Sequence, residues 1–302
     1  MNKVQFDIAE DLIDICWDNV FKSVFTRPIP ESRGALSKLL SAIIGKELTV
    51  IHITANEPPV ESLRDRQIRF DINCVAEDGE LCNVEMTLSP SAFEVRRLEY
   101  YAGELHTSQD IRGVDKSWGD LKPSYQISFL MNEVCFDDKA FIHFFEYYDP
   151  KNKVTLRGIS RIITIELVKL DRVVEKSVEE MSSQERWSVF FRFLRDITKR
   201  GKINEILVQE EGIAMAGTVL RMISRDQEER LRLITEHKNI MDWQSGMVEA
   251  RREGIAEGRI EGIAEGRIET AKNLLSDGIE PERVAAYTGL SLADVLKLGL
   301  EK

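Results

Sequence analysis

The sequence predicts an α/β protein, a mixed sheet flanked by helices and followed by an all-helical C-terminal region. Three observations point there. Between Arg66 and Ser89 apolar residues alternate with polar ones on both sides of Asp78-Gly79 (Phe70, Ile72, Cys74 and Ala76, then Cys82, Val84 and Met86), the period-two mark of strands with one buried face. Helical periodicity precedes this hairpin and follows it, and more strands come after, an order that suits helices packed on a mixed sheet. From about residue 175 the pattern is helical throughout.

Taken in order, residues 6–25 read as a first helix, with Ile13, Trp17, Val20, Phe21, Val24 and Phe25 at helical spacing. Phe21 and Phe25 are core candidates, and Lys22 is either a phosphate contact or an exposed helix residue, the latter being favoured. A second helix covers 32–44 and stops before Gly45; residues 48–54 form a strand, ended by Glu57-Pro58-Pro59. Arg64, Arg66 and Arg69 then lead into the hairpin. A three-residue loop, Glu77-Asp78-Gly79, makes a type I turn with Gly79 in the left-handed region. Paired residue numbers then sum to 156: Phe70 faces Met86, Ile72 faces Val84, Cys74 faces Cys82, and both apolar sets share one face. A two-residue loop would shift the sum to 157 and put the two sets on opposite faces.

Downstream, a helix from about 91 to 108 starts at Ser89 or Ser91 as cap. It carries Phe93, Arg97, Tyr101 and Leu105 on one face, with Arg96 and Tyr100 as a second pair four apart. Residues 124–131 form a buried strand; 141–148 and 153–157 form a hairpin across Asp149-Pro150-Lys151-Asn152; residues 161–168 form a last strand. Trp187, Phe190, Phe191 and Leu194 make a core stripe, and helices follow at 203–211, 214–223 and 226–250. These limits give three regions: a core over 1–170, a helical region over 171–250, and a glycine-repeat helix with a small helical cap over 251–302.

The hairpin register also sets Asp71 opposite Glu85 on the face away from the core. Like charges opposed across a ladder are destabilising. Either two solvated carboxylates stand there, or a divalent metal lies between them, because Mg2+ takes oxygen ligands and often uses only one or two carboxylates beside water and phosphate. An Asp, a turn and a Glu-x-x on adjacent strands resembles the PD-(D/E)XK nuclease core. With Asp18-Asn-Val-Phe-Lys22 as an opening motif, the chain is similar to Rpn-type recombination-promoting nucleases, also described as PD-(D/E)XK nuclease family transposases. The resemblance implies a restriction-endonuclease-like fold and a Mg2+- or Mn2+-dependent DNA endonuclease. Asp71 and Glu85 would hold the metal. Asp18 would be either a third metal ligand, as this fold often adds an acid from its first helix, or a surface acid. Thr87 stands where these nucleases place a Lys and this family a Gln, so the chain is either a working nuclease or a degenerate relative acting by DNA binding or self-assembly. The family also carries an Arg and a Tyr four apart on the following helix, matched here by Arg96–Tyr100 or by Arg97–Tyr101.

The 302 residues carry a net charge of -11, an awkward balance for a phosphate-binding surface. No apolar run is long enough to span a bilayer, MNKVQFDIAED has no signal-peptide hydrophobic region, and the four cysteines lack Cys-x-x-Cys spacing. Buried free thiols in a cytoplasmic protein are expected, and the four scattered histidines suggest no role. Residues 253–268 repeat EGIAEGRI, with Gly254, Gly258, Gly262 and Gly266 four apart. Interior glycine costs a helix ~1 kcal/mol each relative to alanine. The stripe is therefore either a close contact with a partner helix, giving a homo-oligomer, or a solvated flexible helix. The final helices, around Thr288-Gly289, resemble a helix-turn-helix, but Ser291, Leu292, Ala293 and Asp294 suit a cap better than a base reader.

Overall fold

The structure is a computed structural model, and it describes residues 4–54, 71–111 and 114–300. The Phe70–Met86 pair, the three arginines before the hairpin and the Glu57-Pro58-Pro59 break fall outside these residues. The chain divides into two compact units, Met1–His237 and Lys238–Lys302.

The first unit is built on a six-stranded mixed sheet of order β1-β2-β3-β4-β8-β5. Its strands are β1 (Val50–Ile53), β2 (Ile72–Ala76), β3 (Leu81–Thr87), β4 (Ser124–Leu130), β5 (Ile142–Phe145) and β8 (Ser160–Glu166); β6 (Tyr147–Asp149) and β7 (Val154–Leu156) pair separately. The helices are α1 (Asp18–Thr26), α2 (Pro30–Ile44), α3 (Glu94–Thr107), α4 (Ser183–Phe193), α5 (Arg200–Gln209), α6 (Glu211–Arg225), α7 (Gln227–Ser276), α8 (Pro281–Thr288) and α9 (Leu292–Leu300).

The hairpin has the expected register. Ile72 pairs with Val84, Asn73 with Asn83, Cys74 with Cys82 and Val75 with Leu81, and Gly79 has φ +82°. β3, β4 and β8 run parallel, so the rows Val84–Ile127–Ile163 and Met86–Phe129–Ile165 all point to one side. There they meet Phe21, Phe25, Trp187 and Phe191 in a single core shared with α1, α2, α4, α5 and α6. The other side carries Asn83, Glu85 and Thr87 of β3, Gln126 and Ser128 of β4, and Thr164 and Glu166 of β8. Most of these polar residues are buried, because α3 crosses over them with Glu94, Leu98, Ala102 and Leu105 turned inward.

Several local expectations are corrected. Helix begins at Asp18, not at residue 6: before it, the N–H groups of Phe6 and Ile13 go to distant partners, Asn204 and Ser224, while those of Asp7, Glu10, Cys16 and Trp17 close short local turns. Glu10 is held by Arg221 and Arg225, and Asp11 by Arg230. Helix α3 starts at Glu94 with no side-chain cap; Ser91 serves the N–H of Phe93 instead, and Phe93 itself is exposed. The strand expected over 141–148 breaks after Phe145, β5 joining β8 and β6 turning back to β7. The helix expected over 226–250 runs on without interruption through the repeat to Ser276.

In the second unit, the end of α7 packs with α8 and α9 around Ala271, Val284 and Val295, with Gly289 at φ +69° in the turn between them. From Arg251 to Thr270 the helix is exposed, and a Cβ built on Gly254, Gly258, Gly262 or Gly266 meets nothing within 4 Å. Among the described residues, no helix is long and apolar enough to cross a membrane.

Candidate active site

Asp71 ends the β2 ladder, one step beyond Ile72, and the hairpin register sets it beside Glu85. Its Oδ2 accepts the N–H of Met86 at 3.1 Å, which fixes the carboxyl against β3. Burial pushes the Asp71 carboxyl well above the usual range, and the nearby Asp18 and Glu85 charges add to the rise against the pull of Lys22. Helix α1 brings the first of these neighbours. Its apolar side, Val20, Phe21, Val24 and Phe25, is buried in the core, which leaves Asp18 and Lys22 one turn apart at the end of the sheet. The Lys22 ammonium lies 3.2 Å from Asp71 Oδ1 and 2.8 Å from Asp18 Oδ1.

Glu85 sits under α3 and is 1% exposed. Asn83 Nδ2 donates to Glu85 Oε1 at 3.0 Å and to Gln126 Oε1 at 2.8 Å, so one buried amide ties the carboxylate to the neighbouring strand. Arg97 Nη1 is 3.0 Å from Glu85 Oε2, yet out of hydrogen-bonding alignment, and that oxygen accepts no hydrogen bond. Burial raises the Glu85 pKa to about 7, against the lowering pull of Arg97 and Asn83. Arg97 also donates from Nη2 to Thr87 Oγ1 at 2.9 Å and to Glu94 Oε1 at 2.5 Å, and its guanidinium stands 5.2 Å from the centre of the Tyr101 ring. Desolvation opposes its charge, but Glu85 and Glu94 outweigh that and hold its pKa above the ordinary value.

A second cluster lies at the end of β8. Asp138, His143 and Glu166 bring ligand atoms within 4.8 Å of one another. An ammonium already serves it: Lys169 Nζ is 2.5 Å from Glu166 Oε2 and 3.2 Å from Asp138 Oδ1. Glu166 Oε1 accepts the N–H groups of Cys135 and Phe136. This arrangement ties the loop after β4 to the sheet, and it gives His143 a partner that the sequence did not suggest.

Residues 16–250 match the family described as PD-(D/E)XK nuclease family transposase. The chain belongs to that family. No curated protein and no solved structure matches it. Membership in the PD-(D/E)XK family carries a nuclease-type function, and the matched span takes in the whole of the first unit's sheet and the helices around it.

Within this PD-(D/E)XK chain the residues singled out from sequence fall at one end of the sheet. Asp71 meets Asp18 through Lys22, and Glu85 meets Thr87 through Arg97. Of the two Arg–Tyr pairs, Arg97–Tyr101 is the one at Glu85; Arg96 lies 5.6 Å from the exposed Phe93 ring. Sequence reasoning missed Glu94, Asn83 and Gln126, and it favoured an exposed helix residue over a phosphate contact for Lys22. The spacing Asp18–Lys22, four apart on a helix, was the available signal for Lys22. Asn83 could have been read from its place two before Glu85 on the same strand face.

Proposed function

We propose that the chain is a metal-dependent DNA endonuclease of the transposase and recombination-promoting type, with Asp71, Glu85 and Asp18 as ligands of one Mg2+ or Mn2+ ion. The observation that carries this reading is the charge balance of the site. Among the described residues, Asp18, Asp71, Glu85 and Glu94 face Lys22 and Arg97, an excess of two negative charges when all four acids are ionised, and burial opposes ionisation of Asp71 and Glu85. A divalent cation matches the deficit, and Glu85 Oε2 is a buried carboxylate oxygen free of hydrogen bonds. The ion, when bound, lowers the pKa of a water and neutralises phosphate charge. Arg97 holds Glu85 by its guanidinium, the Asn83–Gln126 pair fixes the second Glu85 oxygen, and the Thr87 hydroxyl orients water without supplying charge. The test is plasmid cleavage with Mg2+, with Mn2+ and with EDTA, beside an Asp71→Ala control. Cleavage that needs the metal and is lost in the variant supports the reading; equal cleavage by both proteins overturns it.

One observation favours a second reading, a degenerate relative that binds DNA or assembles without cutting it. The position two past Glu85 holds a hydroxyl engaged with Arg97 rather than a lysine. The nuclease reading has the protein act on DNA in the cytoplasm, and in either reading a second copy joins through the C-terminal helix, where Gly254, Gly258, Gly262 and Gly266 leave open space for a close neighbour. Sedimentation of the full chain and of a chain ending at Ala250 tests this: a mass unchanged by the truncation removes the repeat from the assembly.

A further inference from the structure

The nuclease reading leaves a chemical vacancy at Thr87, and the structure offers a group for it from another element. We infer that Lys22, presented by α1, is the catalytic lysine of this site, an assignment that rests on the nuclease reading above. Among the described residues, two cations reach the Asp71–Glu85 pair. Arg97 is committed: its guanidinium donates to Thr87 and Glu94 while facing Glu85, all at the start of α3 or on the strand beneath it. Lys22 is also paired, with Asp18 and Asp71, but it holds them with a single ammonium rather than a fixed fork. Its ammonium lies at the Asp71 end, 3.2 Å from Oδ1, and its other partner, Asp18, is 42% exposed, so that ion pair opens to solvent at little cost. An ammonium on a flexible stem carries three rotatable donors. The helix beneath it is fixed, since Val20, Phe21, Val24 and Phe25 are fully buried. Lys22 therefore stays at the end of the sheet while its terminal atoms move.

In the hydrolysis, a water oxygen forms a new bond to phosphorus as the bond from phosphorus to the leaving sugar oxygen breaks. The water's proton passes to solvent, and a solvent proton completes the sugar hydroxyl. Lys22 exchanges no proton in this scheme. As an ammonium it donates to the attacking oxygen and to a non-bridging phosphate oxygen, where negative charge grows, which is the service positive donors render in such transition states. Thr87 leaves that service to α1, because a hydroxyl adds no charge.

The test uses the full chain and three variants, Lys22→Gln, Thr87→Lys and the double variant, each read by plasmid cleavage and by the thermal shift on adding Mn2+. Lys22→Gln is expected to cleave at least ~100-fold more slowly, the usual loss on removing one such donor, while keeping its Mn2+ shift, which shows it folded and metal-competent. Adding Thr87→Lys to Lys22→Gln is expected to restore at least a tenth of the wild-type rate. Lys22→Gln cleaving as fast as wild type would overturn the assignment and leave the nuclease reading intact. A double variant as slow as Lys22→Gln, with its Mn2+ shift kept, also overturns it. Should Lys22→Gln lose the shift, Lys22→Arg decides: retained shift with at least a tenth of the wild-type rate supports the charge role, and loss of both marks Lys22 as a structural counter-ion. A wild-type protein that cleaves with neither metal sinks the nuclease reading itself, and the assignment with it.

Discussion

Replacing Glu85 by Gln removes the charge that burial opposes and keeps the shape of the side chain. The Glu85 carboxyl moves from 4.5 to about 7 on folding. Below pH 4.5 it is protonated folded and unfolded, and costs nothing. Above pH 7 it is ionised in both states, and the folded protein bears a penalty of about 3 kcal/mol at ~1.4 kcal/mol per pH unit. Stability is therefore lost as pH rises through that window, the penalty being about 1 kcal/mol at pH 5 and about 3 kcal/mol at pH 8. Asp71 shifts in the same direction, partly through the Glu85 charge, so the Gln variant also relieves Asp71 and any change there adds to the gain with the same sign. In urea unfolding with EDTA, Glu85→Gln should gain about 2 kcal/mol on wild type between pH 5 and pH 8. Any change in hydrogen bonding to Asn83 is independent of pH and drops out of that comparison. At pH 8, Mn2+ at a hundred times its Kd should stabilise wild type by about 2.7 kcal/mol through binding to the folded state, and the Gln variant by much less. A difference between the two proteins that is the same at both pH values would refute the burial argument, and an equal Mn2+ gain would refute Glu85 as a ligand.

Other outcomes follow from the same geometry. Arg97→Ala strands two buried carboxylates, Glu85 beneath α3 and Glu94 in its first turn, and should cost about 3 kcal/mol in urea unfolding at pH 8, whereas Arg96→Ala should stay within about 0.5 kcal/mol; equal losses would contradict the placement of Arg97. Gly79→Ala forces a side chain into the left-handed region, with its Cβ 3.3 Å from Lys122 Cγ, and should lower stability by about 1–2 kcal/mol with an unchanged circular dichroism spectrum. Gly254→Ala and Gly258→Ala meet open space and should each stabilise the helix by about 1 kcal/mol, read as a later melt at 222 nm; if a second copy packs on the stripe, sedimentation of the same variants should show weaker association.

The hairpin was legible because two independent signals, alternation and turn chemistry, admit one common register, and that register alone brought Asp71 to Glu85. Gly45, at φ +83°, and Gly289 were equally legible as helix stops. What the sequence hid is long-range. The apolar spacing of residues 6–17 imitates a helix, and Leu12, Ile13, Ile15 and Cys16 are all buried, but the segment is held by distant partners instead: the N–H groups of Phe6 and Ile13 go to Asn204 and Ser224, and Glu10 and Asp11 are tied to α6 and α7. The choice between Arg96 and Arg97 depends on how α3 is rotated over the sheet, a question one residue of phase decides. Lys22 looked like solvent-facing charge because its partner Asp71 lies 49 positions away in the chain. The Asp138–His143–Glu166–Lys169 cluster needed the pairing of β5 with β8, for which short strands carry little local signal.

The spacing of the glycines has a geometric consequence for any neighbour. Four residues turn an α-helix through about 400°, some 40° more than a full circle, so the line through Gly254, Gly258, Gly262 and Gly266 does not run along the helix axis but winds around it by about 120° over its length. A repeat longer than 3.6 residues favours a right-handed superhelix. A second helix seated on the glycines would cross in that sense and touch over a few turns. It would not run alongside in the left-handed manner of a heptad coiled coil, and the charged residues before and after the crossing would remain in water.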